Sequence, residues 1–260
     1  MKRKSLSSLL KNALVPMGHT LYIYGGGWNT EDTGAAAETR TLGESPVWRA
    51  FFESQDAHYT YKNDDDPQHS FYPYDGINTH HALGLDCSGY VGWTLYNTLC
   101  DKDGQEGFVM KSTQAARLLA GRGFGTFSKE RRLLSGDIVS MKGHVWICLG
   151  TCRDGSVLIA HSTPSLSRAG APGGGVQLSA LTDEKNADCE ALRLADRIMR
   201  EYFPDWYARY PAVCRSLAAY TRFDDPDTGI FSWDLTNGPL ADPMGLRKMT
   251  AEEIVAYLFK

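Results

Sequence analysis

No apolar run in these 260 residues approaches the roughly 20 that a membrane-spanning helix needs, so no membrane segment is expected. Basic charge is not in excess either: 27 Lys and Arg against 31 Asp and Glu leave a formal net charge of −4. Apart from "KRK" at the start the basic residues are scattered, which offers neither nucleic acid nor an anionic membrane an electrostatic footprint. There is no C-x-x-C, and the six cysteines (87, 100, 148, 152, 189 and 214) are irregularly spaced. A chain of this size can bury a core without disulfide staples, so most of these thiols are expected to be free. Cys148, inside "VWICLG", reads as a small core hydrophobe. Internal repeats and low-complexity tracts are absent as well.

Three ligand-binding patterns also fall short. "YGGGW" lacks the G-K-[ST] ending of a phosphate loop, and a tight turn that lets backbone approach a substrate fits it better. "NDDDP" and "DDPDTG" miss the D-x-[DN]-x-[DN]-G spacing of a calcium loop. His80 and His81 precede Cys87, but a structural zinc site wants four ligands in recognisable pairs, and His58 and His69 stand at no spacing that would complete it. The expectation is therefore no metal and no cofactor. "MKRKSLSSLLKNALVPMG" opens like a secretion signal, yet Lys11 interrupts the apolar stretch and no A-x-A-like cleavage site follows. Leu6, Leu9, Leu10, Ala13 and Leu14 instead fall at helical spacing. The expected location is cytoplasmic, with non-standard export left open.

What the chain does contain is the composition of a folded domain, 42% hydrophobic and 22% charged. Residues 1–28 predict a helix and a short strand, "TLYIY", ending in "GGG". Residues 29 to about 82 are too long for a simple loop and read as an insertion with some helix around 47–55, or as a lid. Their aromatics, among them Trp48, Phe52, Tyr61 and Tyr74, would line a sugar or peptide site or give the insertion a small core of its own. Asp86 is a good N-cap for a helix starting at Cys87, and "STQAARLLAG" predicts a second helix that stops at Gly121. "GDIVSM", "HVWICLG", "SVLIAHS" and "GGGVQLSAL" follow as strands. "CEALRLADRIMREYF" is amphipathic, and "MTAEEIVAYLF" reads as a helix capped by Thr250. Helices, then consecutive strands, then helices define an α+β class with an antiparallel sheet rather than a βαβ repeat. One domain is expected over 1–260, with an insertion at about 29–82 and a helical elaboration at about 183–235.

Cys87 is the residue whose placement asks for a chemical explanation. Thiols attack as thiolates, and the amino end of a helix dipole and a nearby imidazolium both lower a thiol's pKa. Cys87 falls in the first turn of its helix. His144 opens one predicted strand and His161 closes the next, and a hairpin turning around "RDG" at 153–155 would bring the two together at its open end. His161 would then hold one ring nitrogen of His144 and aim the other at Cys87, which gives nucleophile, base and orienter.

The wording of the motifs goes further. "LDCSGYV" (85–91) resembles the nucleophile motif of NlpC-type cell-wall endopeptidases, which are papain-like cysteine peptidases. "SGDIVSMKGHVWICLG" (135–150) resembles that family's histidine segment, "VLIAHSTP" (157–164) its third polar strand, and "LYIYGGG" (21–27) its Y-x-[WY]-G-G turn. The resemblance covers about residues 5–28 and 83–182; Gly26 and Asp86 are 60 apart, far more than the family's usual gap.

The resemblance implies a papain-like core, with N-terminal helices on an antiparallel sheet of about five or six strands and extra C-terminal helices. It implies Cys87 as nucleophile, His144 as general base and His161 as the orienting group. Tyr22, Asp86 and Ser88 match substrate-binding positions, the last two holding the amino end of a wall peptide, although Asp86 would serve equally as a helix cap. The implied reaction is hydrolysis of an amide in peptidoglycan peptides, at the γ-D-glutamyl bond to diaminopimelate or lysine, so the partner is a peptidoglycan-derived peptide. The same triad would serve an acyltransferase or transamidase, and a non-catalytic peptide-binding module is the competing reading from another class. Oligomeric state is left open.

Overall fold

A computed structural model describes residues 3–27, 41–55, 81–183 and 188–260. The short strand β1 (Lys4–Ser5) leads directly into helix α1 (Leu6–Leu14). Ser5 caps this helix by accepting the Ser8 N–H at 3.0 Å, and Leu6, Leu9, Leu10 and Ala13 form its buried stripe. Helix α2 (Pro46–Ser54) starts with a proline, whose missing N–H costs nothing in a first turn. Helix α3 (Cys87–Leu99) is buried at every position except Ser88 and Asn97, the pattern of a helix enclosed on all sides.

Helix α4 (Ala115–Gly121) precedes five strands: β2 (Gly125–Ser128), β3 (Ile138–Met141), β4 (His144–Thr151), β5 (Val157–Leu166) and β6 (Pro172–Thr182). Then come α5 (Glu190–Tyr202), α6 (Pro204–Arg209), β7 (Val213–Ser216), α7 (Leu217–Tyr220), β8 (Gly229–Trp233), β9 (Leu240–Ala241) and α8 (Ala251–Leu258). The last helix has a full capping box between Thr250 and Glu253.

The architecture is α+β. Seven strands form one sheet in the order β2-β8-β3-β4-β5-β6-β7, antiparallel throughout except for the parallel β6–β7 edge. A separate two-stranded parallel pair joins β1 to β9. The sheet is thus larger than the expected five or six antiparallel strands. The difference comes from residues 183–235, expected to be helical, which also supply β7 and β8. "GIFSW" escaped recognition because four of its five residues are buried, so it lacks the in–out alternation of a one-sided strand. "TLYIY" does not become a strand. It makes a single bridge, Leu21 to Gly175, and ends at Gly25, which sits at φ 70°. Helix α4 begins at Ala115, not at the serine of "STQAARLLAG".

Strand alternation divides the core. Val145, Ile147, Leu149, Leu158, Ala160 and Leu178 join α1 and α3 in the larger cluster. Trp146, Cys148, Val157, Ile159, Leu181 and Ile230 form a smaller cluster against which Leu217 and Tyr220 pack. Asp137 ties β8 into place: its buried carboxylate accepts the Ser232 hydroxyl at 2.8 Å and pairs with Arg247 at 2.7 Å, while Trp233 donates to Gly136 O at 2.8 Å. The described part of the 29–82 segment is docked on the body. Trp48 meets Trp93 edge-on at 5.7 Å and donates to Ala82 O at 3.1 Å, and Phe52 stacks on Trp206 at 5.6 Å. Tyr59 to Tyr74, His58, His69 and His80 lie outside the described residues.

Candidate active site

Asp86 sits extended at φ −79°, ψ −174° and accepts the Gly89 N–H at 2.7 Å, so it caps α3 as its local sequence implies. The same Oδ1 accepts the Ser88 hydroxyl at 2.9 Å. The glycine turn upstream locks this helix start. Asp86 N–H donates to Gly26 O at 2.8 Å, and a Cβ on Gly89 would lie 2.2 Å from that same carbonyl oxygen. "YGGG" and "DCSG", far apart in sequence, thus interlock through backbone contacts that only glycine permits. Around the helix start opens a cleft of about 420 Å³ whose walls include Tyr22, Asp86, Cys87, Ser88, Lys111 and Gly143.

The two histidines meet. His144 Nε2 lies 2.9 Å from His161 Nδ1, and His161 Nε2 lies 2.9 Å from Ser179 Oγ. The register explains why. Extending the Ile147–Ala160 pairing sets Thr163 opposite His144, leaving His161 two residues away on the same side of the sheet. His161 pairs with Gln177, so Ser179 is again two residues along on that side. A diagonal row of three polar side chains therefore crosses β4, β5 and β6, and its last two members are fully buried. When His144 is protonated both its nitrogens carry hydrogen. Nε2–H then donates to His161 Nδ1, His161 Nε2–H donates to Ser179 Oγ, and Nδ1 of His144 is the nitrogen left for proton exchange.

The Cys87 thiol, 6% exposed, does not hydrogen-bond to either imidazole. It meets instead the backbone N–H of Val145, one residue from His144, together with the first-turn N–H groups of Ser88 and Cys87 itself. Its pKa runs against the sequence expectation. Burial pushes the thiol well above its ordinary range and the Asp86 charge pushes it further, outweighing the three N–H donors. Burial, aided by the Arg215 guanidinium, lowers His144 to about 4. Burial, His144 and Arg215 together hold His161 well below the imidazole range. Burial thus favours the neutral form of the thiol and of both imidazoles over an ion pair.

Four contributors escaped the sequence reading. Tyr220 packs edge-on against His144 at 5.6 Å and His161 at 6.2 Å, and its hydroxyl lies within electrostatic reach of Cys87. Arg215, Ser179 and the Val145 amide complete the set. Only Ser179 left a trace in the sequence, as the second polar residue on alternate positions of "VQLSAL". Elsewhere, Cys152, Asp154 and Glu190 bring ligand-type atoms within 4.8 Å of one another. Their carboxylates are engaged in capping: Glu190 Oε2 accepts the Arg153 N–H at 2.9 Å, and Asp154 Oδ2 accepts the Glu190 N–H at 2.7 Å. Comparison with family models, curated proteins and solved structures finds no match to this chain.

Proposed function

We propose that the protein is a cysteine peptidase that hydrolyses an amide bond in peptidoglycan-derived peptides, with Cys87 as nucleophile, His144 as general base and His161 as the group that orients it. The observation that carries this reading is the hydrogen-bonded His144–His161–Ser179 row, which orients an imidazole one residue from the Val145 amide that meets the helix-start thiol of an open cleft. A buried row of two histidines and a serine is a costly way to finish a sheet unless the ring it aims has work to do. The murein substrate class comes from the resemblance of the four motifs.

Because the resting pair is neutral, the thiol proton moves to His144 Nδ1 as the sulfur attacks the carbonyl carbon. Substrate binding brings these two atoms into contact, a tightening common in sites of this kind. As the sulfur moves onto the carbonyl carbon, the Cys87 amide that it leaves is free to donate to the developing oxyanion. His144 then returns the proton to the leaving nitrogen as the C–N bond breaks, leaving a thioester. Water attacks the thioester with His144 as base, which releases the acid and restores the thiol. Asp86, with Ser88 bonded to it, stands at the same cleft wall as an acceptor for a substrate ammonium group. Incubation with defined murein tri- and tetrapeptides followed by mass analysis tests the reading. Wild-type protein should yield two fragments and Cys87→Ala none, and cleavage that persists in a clean Cys87→Ala preparation rules it out.

A further inference from the structure

Successive residues of a strand face opposite sides of the sheet, and in β5 the alternation divides His161 from Ser162. His161 lies on the side of Trp146 and Tyr220, where it meets His144. Ser162 lies on the other side with Leu158 and Ala160, toward α3. There its hydroxyl donates to Leu85 O at 2.6 Å, across 77 residues of chain, and both partners are fully buried.

Leu85 O belongs to the peptide group that leads into the cap residue Asp86. The N–H of that same group donates to Gly26 O at 2.8 Å. The carbonyl and the amide leave a planar unit in opposite directions, so β5 holds one edge of it and the glycine turn holds the other. Leu85 N–H is engaged as well, donating to Leu21 O at 3.1 Å. Turning the clamped plane would swing Asp86 and the first turn of α3, and the Cys87 thiol with them.

A hydroxyl at position 162 calls for a reason. Leu158 and Ala160 precede it on the same side, and burying a polar group in such a row is unfavourable unless it finds a partner. The sheet does not need this side chain, because the backbone of Ser162 already pairs with Val176. What the hydroxyl adds is a tie from the sheet to the segment that carries the nucleophile. A slip of one residue in β5 would turn both His161 and Ser162 to the wrong side, so a single register sets the histidine row and the helix start together.

We propose that Ser162 is a positioning residue for the reaction: through Leu85 O it fixes the start of α3, and so Cys87, on the same strand from which His161 orients His144. The inference rests on Cys87 and His144 being nucleophile and base. In the resting site these two do not hydrogen-bond, so their meeting over a substrate depends on how firmly each is held. A misplacement of about 1 Å costs a reaction about 100-fold, and loosening one of the two edges of the clamp should cost about tenfold.

The test measures kcat and KM of the full-length protein on a murein tetrapeptide, per folded molecule and well below the melting temperature. Ser162→Ala should lower kcat about tenfold and leave KM within about twofold. Ser162→Thr and Ser162→Val add the same bulk to a closed core and differ in the hydroxyl, so the threonine variant should keep at least about fivefold more kcat than the valine variant. This pair decides the matter if the alanine variant fails to fold. In a His161→Ala background, Ser162→Ala should cost less than about threefold, because the alignment that both residues serve is already lost. Equal kcat in the threonine and valine variants, a Ser162→Ala loss confined to thermal stability, or full additivity with His161→Ala each overturns the inference and leaves the peptidase standing. A wild type that cleaves nothing removes the reaction, and the positioning role with it.

Discussion

Acidifying the protein from pH 6.5 to 4.5 should destabilise it chiefly through the histidine row. His144 is held at about 4 in the folded protein by burial and by Arg215, whereas an imidazole in an unfolded chain keeps its ordinary value near 6.5. A base depressed in this way favours the folded state only while it is neutral. Its contribution is complete above pH 6.5 and drains away as the pH falls toward 4. At about 1.36 kcal/mol per pH unit, the gap between 6.5 and about 4 amounts to up to about 3 kcal/mol. His161, shifted in the same direction, adds to the slope. Carboxylates titrate in the same range, so the measurement is a difference. Urea midpoints read by tryptophan fluorescence at pH 6.5, 5.5 and 4.5 are compared between wild type and His144→Asn. Wild type should start more stable and lose more, so that the two curves converge at low pH. Parallel curves would show that the folded ring titrates normally, and the neutral-pair mechanism would go with it. The pH profile of kcat/KM offers a second reading: the acid limb should lie near pH 4, not near 6.5.

Asp86→Asn keeps a good N-cap but removes the charge that raises the thiol, so it should leave thermal stability nearly unchanged while speeding alkylation of Cys87; Asp86→Ala should cost about 1 kcal/mol in addition. Equal alkylation rates in wild type and Asp86→Asn would refute the electrostatic role. Gly89→Ala drives a methyl group to 2.2 Å from Gly26 O and should cost about 3 kcal/mol, seen as a lower urea midpoint; an unchanged midpoint would mean that the two motifs do not interlock. Ser179→Ala strands the buried His161 Nε2, which should lower stability by about 1–3 kcal/mol and reduce kcat more than it changes KM; a change confined to KM would place Ser179 in binding rather than in orientation.

How much of this was readable beforehand depended on the range of the interactions. The Asp86 cap and the buried stripe of α1 follow from neighbours within a turn, and both appear as expected. The His144–His161 contact was accessible because a hairpin is nearly local, and the two rings meet as diagonal neighbours across it. Tyr220 and Arg215 were hidden because they arrive on β7 and α7, elements of four residues each whose position depends on pairing at the sheet edge. The acid–base state of Cys87 was misjudged for a related reason. A helix dipole is written in the local sequence, whereas burial belongs to the assembled fold, and at this sulfur burial is the larger effect.

β8 lies between β2 and β3, yet in the chain it follows everything from β4 to α7. While the nascent polypeptide is being made, β3 has β4 on one flank and a bare ladder of amides and carbonyls on the other until Trp233 has left the ribosome. The sheet that carries both histidines is therefore among the last parts of the molecule to close, and any fragment ending before Gly229 presents a sticky edge where the finished protein has an interior.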